Sequence, residues 1–370
     1  MDRTPRAGRR EHQGRPWPTA CPPALQWGGP VAGVDDGTAG KGAPAGPSLQ
    51  ARARRLVTRG LGVLWILDGL FELQPGLKRQ FAVAVIGNAL QTLPPPLYMA
   101  SFNMLTNMII PYAAAWDLFF ALFQLGLGLV LVAGPPWAKR LALAASVAWG
   151  SVVWVFGEGM AGVFSAGGTF PGTPSILNGF PGPAMVYVLI ALLLLMPEER
   201  WRLAGRSSVV SLAPALVFLL CAAVQAAPLM WTSYGQASIF VASRDYLPAQ
   251  LAVTLRPFAE FTVSNPVLGN ALEVSANLAA ALGLLAARSS RGTFVFAFGW
   301  LAFVWWFGLG LGGMLTGLGT DPGAPPAIML LMGPGLIALR ALRKAEGATG
   351  SPGFGGVPRV GQLRALLERF

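Results

Sequence analysis

From residue 56 onward the chain alternates long apolar stretches with short polar or Pro/Gly-rich breaks, and the stretches are long enough to cross about 30 Å of hydrocarbon. Eight spans are predicted, at 56–74, 111–133, 138–160 and 180–196, then 211–229, 266–287, 294–315 and 327–342. The fourth and eighth are short and begin among prolines or glycines. Between the first two spans, "FAVAVIGNALQTLPPPL" (81–97) is too interrupted to cross and reads as an interfacial segment ended by its three prolines. Residues 1–50 are rich in Pro, Gly and Arg and lack apolar periodicity, which predicts a disordered basic tail. They contain no apolar core of a signal peptide, and the same composition fits a start downstream of Met1. The expected fold class is therefore all-α, a polytopic transmembrane bundle with a first unit at 51–206, a second at 207–344 and a cytoplasmic tail at 345–370.

Composition supports a membrane solvent. Of 370 residues 54% are hydrophobic and 12% charged, against about a quarter charged in soluble domains, and mean hydropathy is +0.54. The single His12 lies in the tail, and Cys21 and Cys221 are the only cysteines. That excludes a disulfide framework, a histidine-ligated intramembrane haem or copper and a four-cysteine metal site, so no metal is expected.

A net charge of +11 invites a nucleic-acid reading, and the placement of the charges argues against one. With the N-terminus inside, the inner flanks hold Arg52, Arg54, Arg55, Arg59, Lys139, Arg140, Arg200, Arg202, Arg206, Arg288, Arg291, Arg340, Arg343 and Lys344. The outer segments hold only Lys78, Arg79, Arg244 and Arg256. A fourteen-to-four bias predicts both termini in the cytoplasm of a bacterial cell membrane. The closing "PRVGQLRALLERF" places Val360, Leu363, Leu366, Leu367 and Phe370 on one helical stripe, which suits either the anionic inner leaflet or a short frayed tail.

The chain repeats itself. "WVFGEGMAGVF" (154–164) returns as "WWFGLGLGGML" (305–315), pairing Trp154, Phe156, Gly157, Gly159 and Gly162 with Trp305, Phe307, Gly308, Gly310 and Gly313. The same offset pairs Gly168-Thr169 with Gly319-Thr320 and Pro171-Gly172 with Pro322-Gly323. "FELQPGL" (71–77) matches "VQAAPLM" (224–230) more weakly, as "FNMLTN" (102–107) matches "FTVSN" (261–265) with one residue dropped. The pattern predicts a tandem duplication of a four-span unit, both copies in one orientation.

The first-helix stretch "RGLGVLWILDGLFELQPG" (59–76) and the "WVFGEGMAG" helix, in a unit of four spans with a glycine-rich outer loop, resemble the DoxX-like integral membrane proteins. These four-helix units include subunits of thiosulfate:quinone oxidoreductase. DoxX-like first helices carry a G-x-x-F-x-x-x-G-x-x-K/H pattern; here Gly62 and Gly69 are present, with Glu72 and Leu73 where a basic or imidazole residue is expected. The resemblance implies a quinone-linked oxidoreductase subunit with quinone as its cofactor; the other reading, a non-catalytic, transporter-like or accessory protein with a membrane or periplasmic partner subunit, rests on the buried acids described next. In that second case no cofactor is expected, and in both the lipid bilayer is the main partner.

The acids carry the chemistry. Asp68 and Glu72 lie one turn apart on one face of the first span, Asp117 in the second and Glu158 at the end of the third, all in the outer half of the membrane. A charge at mid-membrane costs about 2.5–3.5 kcal/mol on insertion scales, so such residues face a bundle interior or a wet cavity. With Gln124 and Gln74 nearby, they form a candidate substrate- or proton-binding pocket open to the outside. Several carboxylates in low dielectric cannot all carry charge, so some would hold protons near neutral pH. Such a pocket suits proton-coupled uptake, cation binding or a hydrogen bond to a quinone. The plainer reading has Glu72 and Glu158 reach to the interface, Glu72 pairing with Lys78 or Arg79, and has Asp68 and Asp117 bonded locally. The second copy has Cys221, Gln225 and Leu309 opposite Asp68, Glu72 and Glu158, and keeps Glu273 inside a span.

Gly157-x-x-x-Ala161 and Gly308-x-x-x-Gly312 read as helix-packing pairs. The loops 165–179 and 316–326 lack lysine and arginine and follow no strand, which argues against a phosphate cradle. Trp149, Trp154, Trp300, Trp305 and Trp306 read as interface or packing residues.

Overall fold

The computed structural model describes residues 48–75, 86–90, 92–164, 174–201, 208–286 and 290–349. Most of the predicted tail, the pair Lys78 and Arg79, the stretch 165–173 and the closing amphipathic segment lie outside them. Every regular element among the described residues is helical.

The first helix, α1 (Leu49–Glu72), starts seven residues before the predicted span because Ser48 caps it, its hydroxyl accepting from Ala51 N–H at 3.1 Å. A continuous helical run follows: α2 (Pro95–Met104), a π turn (Leu105–Ile109), a 3-10 turn (Ile110–Tyr112) and α3 (Ala113–Ala133). The three prolines thus open a helix where a termination is predicted. Pro95 sits in the first turn, where a missing N–H costs nothing. Next come α4 (Pro136–Val152), prolonged by a π turn (Val153–Gly157), and α5 (Pro183–Leu195).

The second half runs α6 (Val209–Gln225), α7 (Ser233–Tyr246), α8 (Arg256–Ser264), α9 (Pro266–Leu285), α10 (Arg291–Phe303) with its π turn (Val304–Gly308), and α11 (Ala324–Thr349). Helices α7 and α8 fall in the outer segment between the predicted spans 211–229 and 266–287, for which no element is predicted. Their polar and charged residues break the apolar run, yet α7 is tied down by contacts with α8 and with the turn Gly310–Gly313.

Among the described residues, four helical runs are long and apolar enough to cross a membrane: Pro95–Ala133, Pro136–Gly157, Pro266–Leu285 and Ala324–Ala341. Pro183–Leu195 and Val210–Gln225 are apolar but shorter. The side-chain distribution is inverted relative to a water-soluble bundle. On α3, Leu118, Phe119, Leu122 and Leu129 are exposed, while Asp117 and Gln124 are buried. On α9, Val267, Leu268, Leu272 and Leu282 face out, while Asn270, Glu273 and Asn277 face in. Water would oppose both arrangements; a hydrocarbon solvent favours them.

Packing follows one scheme twice. In the first half α1 packs on α3 and α5, α3 on α4, and α4 on α5; in the second α6 packs on α9 and α11, α9 on α10, and α10 on α11. The halves meet where α11 contacts α1 and α5. Gly62 and Gly69 bring α1 close to α3. A Cβ on Gly62 would lie 2.8 Å from the Gly128 carbonyl oxygen, and one on Gly69 2.7 Å from that of Ala121. Arg54 closes the other end, donating to the Leu194 and Met196 carbonyls (2.6 and 2.8 Å) at the C-terminus of α5.

The glycine motif itself is a helix breaker. After each π turn, four consecutive residues take positive φ: Gly159, Met160, Ala161 and Gly162 (56°, 55°, 53°, 75°), and Gly310, Leu311, Gly312 and Gly313 (51°, 58°, 66°, 70°). Left-handed backbone costs about 1–2 kcal/mol per residue with a Cβ, so glycine fills most of these positions. The predicted small-xxx-small pairs are corrected accordingly. Gly157 ends one π turn and Ala161 takes left-handed backbone beyond it, as do Gly308 and Gly312 in turn, so neither pair lies on one continuous helix. Gly308 instead packs against Leu177 of the first half, where a Cβ would lie 2.5 Å from the Leu177 carbonyl oxygen.

Candidate functional site

Helix α1 delivers Asp68 and Glu72 to one buried face, 5% and 6% exposed. Tyr187 of α5 donates through its hydroxyl to Asp68 Oδ1 at 3.1 Å, and its ring meets Trp65 edge-on at 4.9 Å. Gln124 of α3 donates through Nε2 to Glu72 Oε1 at 3.0 Å. Asp117, two turns before Gln124, is 1% exposed and close enough to Glu72 for like charges to repel. Asp68 stands in the same relation to Glu72 and to Glu158. The structure therefore brings Asp117, Glu72, Asp68 and Glu158 into one string, with Gln124 and Tyr187 bonded to it. Glu72 points inward to Gln124, and the reading in which it reaches the interface is corrected.

Glu158 has a local task as well. Its Oε1 accepts from Ala184 N–H at 2.9 Å, in the first turn of α5, where helix termini leave N–H groups without partners. The Gly182 φ of 93° lets the chain turn beneath it, and a Cβ there would collide with the carboxylate.

The second half builds this corner differently. Trp154 Nε1 donates to the Pro181 carbonyl (2.8 Å) and Trp305 Nε1 to that of Pro322 (2.6 Å), so Pro181-Gly182 holds the place of Pro322-Gly323. In the sequence pairing of Pro171-Gly172 with Pro322-Gly323, Pro171-Gly172 lies outside the described residues. The first loop is ten residues longer, 27 positions from tryptophan to proline against 17, and an ungapped comparison misses this. Leu309 stands at the place of Glu158, against Gly179 and Gly323. The acid reappears on the loop side as Asp321, whose Oδ1 accepts from Gly323 N–H (2.7 Å) and Oδ2 from Thr320 (2.8 Å). One half has Glu158 with Phe180, the other Leu309 with Asp321.

Asp321, from the other half, lies within electrostatic range of Asp68, Glu72 and Glu158 and adds a fifth carboxyl to the group. Burial raises its own carboxyl above the usual range, and the bonds from Thr320 and Gly323 oppose that. Sequence reasoning missed Asp321 because the shifted loop alignment left it without a counterpart. It also missed Tyr187, whose signal was a single phenol in the apolar run of α5.

The polar core of the second half is made largely of amides. Buried Asp117, Gln124, Leu127, Gly128 and Leu131 on α3 recur 153 positions later as buried Asn270, Asn277, Ala280, Ala281 and Leu284 on α9. The same shift takes Glu72 to Gln225 and Asp68 to Cys221. Ser175 donates to Gln225 Oε1 (2.6 Å), and Gln225 Nε2 donates to Asn270 Oδ1 (2.8 Å) and to Glu273 Oε2. Gln236 bonds the Met230 carbonyl at 2.9 Å, and Trp300 Nε1 bonds Asn277 Oδ1 at 3.1 Å. In the first half the corresponding groups, Trp149 Nε1 and Gln124 Oε1, are enclosed without a partner among the described residues, as are Glu72 Oε2, Glu158 Oε2 and Trp65 Nε1.

On the surface Arg256 and Glu260 form an ion pair at 2.6 Å. No group of three or more His, Cys, Asp or Glu among them has an arrangement that would hold a metal ion. Compared with known protein families, curated proteins and solved structures, the chain gives no match.

Proposed function

We propose that this chain is an eight-span protein of the bacterial cell membrane, with both ends in the cytoplasm, formed by tandem duplication of a DoxX-like four-helix unit. Its first half carries a transporter-like pocket, open to the outer side, that takes up and releases protons. Its second half is scaffold. The recurrent packing scheme, the paired left-handed breaks and the two tryptophan-to-proline bonds support the duplication.

The observation that carries the functional reading is a pair of same-shape exchanges. Glu72 and Asp117 in the first half correspond to Gln225 and Asn270 in the second. The amides keep the hydrogen-bonding capacity and discard the charge. A scaffold needs only the amide, whereas a carboxyl in apolar surroundings is expensive and useful where a proton is exchanged. Several carboxyls enclosed together in low dielectric cannot all carry charge, and protons or a bound cation neutralise them.

A membrane-soluble carbodiimide tests this, because it adds to a carboxyl in its protonated form. In the full-length protein in lipid, adducts should form at Asp68, Glu72 or Asp117 near neutral pH, diminish as pH rises, and be located by peptide mass spectrometry. No adduct at these three, or labelling independent of pH, contradicts the proposal.

A further inference from the structure

A second feature lies away from the acid string. A cleft of about 430 Å³ separates the start of α10 from the far part of α11, lined by Arg291, Phe294, Val295, Phe298, Leu336 and Arg340, with Leu339 beside them. The two arginines stand at the same end of an antiparallel helix pair, both are exposed, and neither has an acidic partner among the described residues. Phe294 is 4% exposed and seals the floor, its ring set where a Cβ on Gly335 would lie 2.8 Å away. Val295, 63% exposed, is on the rim, so the cleft opens toward the surrounding solvent, which for this helix pair is lipid.

We propose that this cleft binds one anionic phospholipid, its phosphate between Arg291 and Arg340 and an acyl chain along Phe294, Phe298 and Leu336. Charge complementarity selects the occupant. Guanidinium groups match phosphate oxygens through several N–H donors, whereas a zwitterionic lipid brings a cationic headgroup toward two positive side chains. The apolar wall below the arginines separates a lipid from free phosphate, since only a lipid fills it. Guanidiniums directly above an apolar cleft also suit the headgroup depth of a bilayer. The inference is independent of the acid pocket.

Native mass spectrometry of the full-length protein in detergent, offered equal amounts of phosphatidylglycerol and phosphatidylcholine, tests it. The wild type should retain phosphatidylglycerol preferentially. The double variant Arg291→Gln/Arg340→Gln should lower that retention roughly thirtyfold, the scale of two basic side chains at an anionic surface. Leu336→Trp, which fills the cleft and keeps both charges, should also lower it, and serves where the double variant does not fold. Equal retention of the two lipids, undiminished retention in the variants, or displacement by glycerol phosphate at the same concentration would overturn the proposal.

Discussion

The Tyr187 hydroxyl donates to Asp68 Oδ1 at 3.1 Å, joining the fourth predicted span to the first inside the acid string. This phenol gives Asp68 a partner that a hydrocarbon neighbour cannot supply. Tyr187→Phe should therefore destabilise the protein by about 1–3 kcal/mol, the usual cost of orphaning a buried polar group. Thermal unfolding in detergent measures it. In a double-mutant cycle with Asp68→Asn the two costs should not add, because they share one bond. Simple additivity would show that the contact contributes little.

Glu158 and Ala184 give the second prediction. Glu158→Leu, which installs the residue found at this place in the second half, removes the cap on α5 and should cost about 1–2 kcal/mol. Glu158→Gln keeps an acceptor and should cost less. The reverse change, Leu309→Glu, sets a second acid beside Asp321 and should destabilise without creating a second pocket. Equal tolerance of Glu158→Leu and Glu158→Gln would remove the capping role.

Close packing of α1 on α3 gives the third. Gly128→Ala adds a Cβ about where the Gly62 carbonyl oxygen and Ile66 already sit, at 2.5 and 2.6 Å, and should cost about 1–3 kcal/mol by overpacking. Gly126→Ala, two residues earlier and with nothing within 4 Å, should be neutral or slightly stabilising. Similar melting temperatures for the two variants would contradict the observed helix contact.

These residues also show what the sequence made legible. The apolar period and the buried acids were readable because a carboxylate inside a hydrocarbon run has few structural reasons to exist. The i, i+4 spacing put Asp68 and Glu72 on one face before any coordinates did. Asp321 was not readable, since the ungapped match gave it no acidic counterpart in the first half. The glycine motif read as helix packing because composition alone does not distinguish a glycine that lets helices touch from one that takes positive φ. Helices α7 and α8 were invisible for another reason. Their stability comes from contacts such as the Thr316 hydroxyl on the Tyr246 carbonyl (3.4 Å), which no local pattern encodes.

The central claim, that the first half exchanges protons where the second holds amides, is tested most directly by carboxyl infrared difference spectroscopy of the full-length protein in lipid after a pH step on the outer side. The wild type should show a protonated-carboxyl band that loses intensity in Glu72→Gln and again in Glu72→Gln/Asp117→Asn, with the amide backbone bands unchanged. A band of the same intensity in the wild type and in both variants would contradict the account.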